Sequence, residues 1–262
     1  MLESIPISGL IIYRAMNKIV IRFYEELNDF LPDERRDQDI SYSFQGNPSV
    51  KHLVEALRIP HTEVGKITIN GKLEGFSYLA QDGDMVKVFP ARSPTFDENI
   101  FIEVENAIEQ PRFLLDNHLG KLATYLRLLG FDVLYKNDYQ DETLVQESLR
   151  EKRILLTRDR GLLMRRAIQY GYCIRTLDPK QQIVEVLRRF DLFGKILPFQ
   201  RCLRCNSPLQ TIEKEAIIHR LEPLTRLYFN EFRICQNCDR IYWKGSHYQR
   251  MEGFLEKIKE LG

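Results

Sequence analysis

Four cysteines in two pairs, Cys202-Leu-Arg-Cys205 and Cys235-Gln-Asn-Cys238, present thiolates at the spacing of a tetrahedral metal site. Each pair makes a tight turn that aims two sulfurs at one point, and four sulfurs leave no open coordination position. The chemistry on offer is structural: Zn²⁺ held by Cys202, Cys205, Cys235 and Cys238, stabilising a segment too poor in apolar residues to fold unaided. Two disulfides or four separate buried thiols are the alternatives, and nothing else in the chain suggests an oxidising compartment. The 29 residues between the pairs exceed the usual gap of roughly 15–20. Longer strands than those of a minimal zinc ribbon are therefore expected. Four cysteines leave His219 and His247 no vacancy at the metal.

The second chemistry-bearing set is acidic: Asp116, the group Asp138, Asp141 and Glu142, then Asp159 and Asp178, each just after a short apolar run. Carboxylates that converge repel one another unless a divalent cation sits among them, and hard oxygen ligands suit Mg²⁺ or Mn²⁺. Such a cluster can activate a water and stabilise the leaving oxygen of a phosphodiester. The rival role is helix capping, worth about 1 kcal/mol per residue. Asp178 fits it best, with Pro179 at N1 and Gln181 at N3. Asp116 and Asp159 fit it worst, since neither has Glu or Gln at N3. Within the middle group Asp141, which ends its turn, is the preferred ligand.

Elements able to gather these acids follow from the hydrophobic pattern. Strands are expected at Phe113–Asp116, Phe131–Tyr135, Arg153–Thr157 and Tyr172–Leu177. Helices are expected at His118–Leu129, Glu142–Arg150, Leu162–Gln169 and Pro179–Phe190, the first closed by Gly130. Strict βα alternation with near-continuous apolar strands means a parallel sheet with helices on both faces. Ligands of such sheets bind at the carboxyl ends of the strands, where the acids stand.

Earlier in the chain, Lys18–Tyr24 and Ile40–Phe44 read as strands, and Ser49 caps a helical run. Ile67–Ile69, the turn Asn70-Gly71 and a last strand Met85–Phe89 follow. Two strands, a helix and two strands describe a β-grasp, or ubiquitin-like, domain. Its ending, Asp82-Gly-Asp-Met-Val-Lys-Val-Phe-Pro90, resembles that of small sulfur carriers. Because the chain continues as Ala91-Arg-Ser-Pro, with no free terminal Gly-Gly, carrier chemistry is not expected, and a docking or covering module is. Met16 could equally be the initiator, with the first fifteen residues a floppy extension.

The net charge of +1 hides an asymmetry. Residues 1–92 carry −2, residues 93–111 have five acids and no base, and residues 112–262 carry 27 basic and 19 acidic side chains, or +8. A basic half suggests a polyanionic partner. Lys121, about one helical turn from Asp116, Arg158 and Arg160 beside Asp159, and Lys244 are candidates for phosphate contact, with a solvated face as the plain alternative. Arg240, Tyr242, Trp243, Lys244, His247 and Tyr248 interleave cations and aromatics as single-stranded nucleic-acid surfaces do. Trp243 is expected beside the knuckle.

Three stretches resemble the Mut-seven C-terminal RNase family: Phe113-Leu-Leu-Asp-Asn-His-Leu-Gly-Lys-Leu through Asp132, Arg153-Ile-Leu-Leu-Thr-Arg-Asp-Arg160, and the cysteine module with Ile241-Tyr-Trp-Lys-Gly-Ser-His-Tyr. The resemblance spans about 112–250 and implies a PIN-like nuclease domain with a zinc ribbon, in some members behind a ubiquitin-like domain. It implies a metal-dependent ribonuclease whose acids end strand one and a Thr-x-Asp strand, which fall on Asp116 and Asp159. Asn117-His118 departs from the expected small residue and Met.

The expected organisation is a β-grasp domain at 1–92, an acidic linker at 93–110, a PIN-like α/β domain at 111–195 and a zinc ribbon at 196–262. The expected activity is RNA cleavage with Asp116, Asp141 and Asp159 on Mg²⁺ or Mn²⁺, and Lys121, Arg158 and Lys244 on substrate. The rivals are RNA binding without cleavage and a protein adaptor docking through the β-grasp domain. Free thiols and the absence of a run of about 18 apolar residues point to a cytoplasmic protein without membrane spans. Cys173 reads as a small buried hydrophobe.

Overall fold

The computed structural model describes residues 3–7, 10–14, 16–91 and 111–245, and positions 248, 253, 256 and 258. They form two compact units: Met1–Glu109 with Asp159–Cys173, and Gln110–Arg158 with Ile174–Gly262. The acidic linker at 93–110 lies outside the described residues.

In the first unit, β1 (Glu3–Ile7) and β2 (Leu10–Arg14) pair as an antiparallel hairpin, where a floppy extension was the expected alternative. Strand β3 (Asn17–Phe23) buries Ile19, Ile21 and Phe23, the period-two pattern of a sheet with one covered face. It pairs antiparallel with β4 (Ile40–Phe44). Helix α1 (Val50–Ala56) starts at Ser49, whose hydroxyl accepts from the His52 N–H at 3.3 Å. Then come β5 (Val64–Ile69), β6 (Lys72–Glu74) and β7 (Met85–Pro90), giving the strand order β4-β3-β7-β5-β6 with β3 and β7 parallel. Asn70 (φ 51°) and Gly71 (φ 81°) supply the two left-handed residues of a tight hairpin. This is a β-grasp sheet.

The second unit is built on β8 (Arg112–Leu115), whose Phe113, Leu114 and Leu115 are all buried. Unbroken burial marks a strand covered on both faces. A 3-10 turn, Asn117–Leu119, leads into α2 (Gly120–Leu128), which stops at Gly130. There φ is +97° and a Cβ would stand 2.1 Å from the Leu197 carbonyl oxygen, so glycine is required. Strand β9 (Asp132–Tyr135), helix α3 (Asp141–Glu151) and strand β10 (Ile154–Thr157) follow, with β9 and β10 both parallel to β8.

The chain then contributes an excursion, Asp159–Cys173, to the first unit. It contains α4 (Arg160–Leu163) and β11 (Gly171–Cys173). The expected helix Leu162–Gln169 does not form: the helix found is Arg160–Leu163, after which the N–H groups of Arg165 and Ile168 bond the carbonyls three residues back, Leu162 (3.2 Å) and Arg165 (2.9 Å). Back in the second unit, the Ile174 N–H bonds the Thr157 carbonyl at 2.8 Å. Helix α5 (Pro179–Arg189) is capped by Asp178, which accepts from the Lys180 N–H at 3.2 Å.

The cysteine module comprises β12 (Leu209–Ile212), α6 (Lys214–Ile217), α7 (Pro223–Tyr228), β13 (Phe232–Cys235) and β14 (Ile241–Trp243). The strands form one antiparallel sheet over a small core of Ile217, Leu221 and Phe232. Two short helices, not lengthened strands, fill the wide gap between the cysteine pairs.

A buried cation joins this module to the parallel sheet. Arg127, 4% exposed, donates to the carbonyls of Val133 (2.9 and 3.1 Å), Leu203 (3.1 Å) and Arg204 (2.9 Å). Arg127 lies off the apolar stripe of α2, yet the fold turns it inward. Asp132 completes the joint, accepting from Arg153 (2.7 Å) and Asn206 (2.8 Å). Burial opposes its ionisation, but the hydrogen bonds from Arg153 and Asn206 hold its carboxyl below the usual range. Arg127→Ala should lower stability by about 3 kcal/mol, since several buried charge-assisted bonds go unmade. A denaturant melt checks this, and a shift under about 0.5 kcal/mol would show the joint to be dispensable.

Candidate functional site

Asp116 directly follows β8 and is 9% exposed. Its Oδ2 accepts from the Thr157 hydroxyl at 2.7 Å, and its N–H bonds the Leu156 carbonyl at 3.1 Å. The residue stands at the start of the turn Asn117–Leu119, yet its side chain makes no cap bond. A carboxylate this buried persists only with polar partners, and the Thr157 hydroxyl on β10 supplies one. Thr157, fully buried, is the residue that sequence reasoning undervalued. Its signal was a hydroxyl at the end of an aliphatic strand.

The loop beside Asp116 is pinned by β9. The Tyr135 hydroxyl donates to the Asn117 carbonyl at 3.0 Å. A Cβ on Gly120 would lie 2.6 Å from that hydroxyl, so a larger residue at the start of α2 would have to displace the Tyr135 ring. Asn117 Oδ1 is buried without a hydrogen-bond partner, an orphaned oxygen one residue from the Asp116 carboxylate.

The other acids are placed differently. Asp141 is the first residue of α3, half-buried, and the cap position belongs to Gln140, which makes no side-chain cap bond. Asp138 and Glu142 are exposed. Asp159 caps α4: its Oδ1 accepts from the Gly161 N–H at 2.7 Å and the Leu162 N–H at 3.3 Å. Sequence judged it a poor cap for want of Glu or Gln at N3. A single carboxylate reaching the N2 and N3 amides needs no such partner. Asp116 and Asp141 belong to the second unit and Asp159 to the first.

Lys121 and Arg158 are exposed, and Lys244 is an exposed cation paired with Glu231 at 3.4 Å. Tyr242 serves the knuckle: its hydroxyl meets Cys202 Sγ at 3.0 Å and accepts from the Leu203 N–H at 3.2 Å. Trp243 is 37% exposed, its ring 6.4 Å from that of Phe232. His247 lies outside the described residues.

All four knuckle cysteines are free thiols, with Sγ separations of 3.4 Å (Cys202–Cys238) and 3.3 Å (Cys205–Cys235) and every pair within 4.8 Å. A tetrahedron with Zn–S bonds of about 2.3 Å has edges of about 3.8 Å, so the donor set fits. The residue after each pair, Asn206 (φ 69°) and Asp239 (φ 58°), is left-handed, which turns the chain back and leaves the sulfurs facing inward. Without a cation the sulfurs cannot all ionise. Desolvation raises Cys205, but hydrogen bonding with Ser207 and Asn237 brings it down to about 5. Desolvation and the bonds to Cys202 and Cys235 push Cys238 up to about 12. A bound divalent cation removes that conflict. Among the described residues these cysteines are the group of metal-binding side chains that lies this close, and the acids form no comparable group.

The Mut7-C RNAse domain model matches residues 111–255, more than half of the chain. The chain belongs to the Mut7-C RNAse domain family. The Mut7-C ubiquitin model matches residues 16–95, so the β-grasp sheet is the Mut7-C ubiquitin domain. In this Mut7-C chain the cysteine cluster is consistent with a zinc ribbon at the end of the RNAse domain. No curated protein matches the chain. Among solved structures, the HVO 2177 protein of Haloferax volcanii is 16% identical over 30% of this chain and 87% of its own, with a TM-score of 0.26. A protein from Pyrococcus furiosus described as molybdopterin converting factor, subunit 1, is 19% identical over 29% and 99%, with a TM-score of 0.24. Among the described residues no helix of the Mut7-C chain is long and apolar enough to cross a membrane.

Proposed function

We propose that this Mut7-C chain is a divalent-metal-dependent ribonuclease of a reducing, cytoplasmic compartment, with Zn²⁺ in the cysteine cluster. The observation that carries the reading is Asp116: a buried carboxylate at the carboxyl end of a parallel strand, aimed by Thr157 and making no helix-cap bond. Asp141 and Asp159 join it as ligands of Mg²⁺ or Mn²⁺. The orphaned Asn117 oxygen beside it adds a hard donor of the kind such ions take. A bound ion of this type supplies an activated water and charge for the leaving oxygen. The chain's own part is to hold the ligands and the RNA. The excess of +8 in residues 112–262 favours a polyanion, and Lys121, Arg158 and Lys244 are the proposed phosphate contacts. The module boundaries 1–92, 93–110, 111–195 and 196–262 are proposed as the functional division.

Titrating labelled RNA with and without Mn²⁺ tests the reading. Cleavage appearing only with the ion supports it. Salt-sensitive binding indifferent to Mn²⁺ would favour RNA binding without cleavage. Absence of RNA affinity would favour an adaptor. Asp159→Asn sharpens the test, because asparagine caps helices as well as aspartate does and stability should change by less than about 0.5 kcal/mol. Cleavage should nonetheless fall by about tenfold or more, whereas full activity in that variant would reduce Asp159 to a cap.

A further inference from the structure

The excursion Asp159–Cys173 lies inside the stretch matched by the RNAse domain, yet it is compact with the ubiquitin domain. Three anchors hold it, near its start, middle and end. The Arg160 guanidinium lies 4.7 Å above the Phe30 ring and donates to the Phe30 carbonyl at 3.0 Å. The His61 ring places Nε2 2.9 Å from the Ile168 carbonyl oxygen, while Nδ1 lies 2.7 Å from a Glu55 oxygen. Glu63 is 2% exposed, and its Oε1 accepts from the Cys173 N–H at 2.6 Å. Burying a carboxylate is costly unless its bonds are made inside. Glu63 therefore belongs to a surface built to receive this excursion and is not a solvated acid of a free-standing ubiquitin domain.

We infer that the ubiquitin domain positions Asp159, one of the proposed ligands, in the same chain: its Phe30, His61 and Glu63 surface has Arg160–Cys173 as its partner. Holding that partner fixes Asp159, the residue immediately before the first anchor. This inference rests on the ribonuclease reading above. It gives the domain a role that requires neither a second protein nor carrier chemistry. His61 and Glu63 act through Asp159 and touch no substrate.

The test uses the full chain with Glu63→Ala, Glu63→Gln and Arg160→Ala, read by amide hydrogen exchange and by Mn²⁺-dependent RNA cleavage. Glu63→Ala should speed exchange of the 161–173 amides by about tenfold, the loss of one bond to a charged acceptor. The β8–β10 amides should keep their protection. Cleavage should lose about tenfold or more in kcat with KM unchanged, as for a misplaced reacting group. Glu63→Gln keeps an acceptor oxygen for Cys173 and should restore both. Arg160→Ala changes an exposed side chain, leaves the ubiquitin core intact and should reproduce the defect if Glu63→Ala does not fold. Faster exchange with unchanged cleavage overturns the positioning role, and unchanged exchange overturns the anchoring itself. A wild-type chain inert towards RNA in Mn²⁺ is the separate failure of the ribonuclease reading, and the positioning role falls with it.

Discussion

Chelation of bound zinc should unfold residues 200–245 and lower the melting temperature of the whole second unit. The apolar core there is Ile217, Leu221 and Phe232 with a few half-buried neighbours, far short of what three strands and two short helices cost in chain entropy. Four thiolates on one Zn²⁺ typically contribute about 10–16 kcal/mol of metal-linked folding energy, which outweighs any other single term in the module. The effect should spread. Leu203 and Arg204, inside the first knuckle, are the acceptors of Arg127, so an open knuckle leaves a buried guanidinium short of partners beside β9. Hydrogen exchange during EDTA treatment should therefore show loss of protection in β12–β14 first and weakening of α2 and β9 with it. Cys235→Ser should reproduce this, and metal analysis should return one zinc per chain. Structure that survives EDTA but collapses on reduction would point to disulfides and end the zinc assignment.

Asp116→Asn should abolish metal-dependent cleavage while barely moving stability. Loss of supporting groups one layer out from a metal typically costs about 10–100-fold, so removal of a ligand charge should cost about 100-fold or more. The amide keeps an oxygen able to accept from Thr157, and the fold should therefore register less than about 1 kcal/mol. Thr157→Val separates orientation from charge. It leaves the acid in place but removes its 2.7 Å donor, and it should cost about 1–3 kcal/mol with a smaller drop in cleavage. Wild-type cleavage by Asp116→Asn would remove the acid from the reaction. A large loss of stability in that variant would make Asp116 a structural residue.

Much of this protein was legible in short stretches of sequence, wherever one residue type has one physical use. Cysteines with two residues between them made a knuckle, and Ser49 and Asp178 made caps. Asn70-Gly71 made a tight hairpin, Gly130 ended α2, and unbroken apolar runs became parallel strands. In each case the deciding interaction lies within a few residues, so pattern and outcome coincide. Tertiary structure decided the rest, because there the partner sits far away in the chain. Arg127, a cation off the apolar stripe of its helix, is buried because the carbonyls of residues 203 and 204 are brought to it. Asp116 and Asp159 looked alike in sequence, but one faces Thr157 across the sheet and the other caps its own helix. The segment after Asp159 promised a two-turn helix. It became an excursion gripped by Phe30, His61 and Glu63, more than a hundred residues earlier, because long-range hydrogen bonds to buried groups outweigh the few tenths of a kcal/mol per residue of helix propensity.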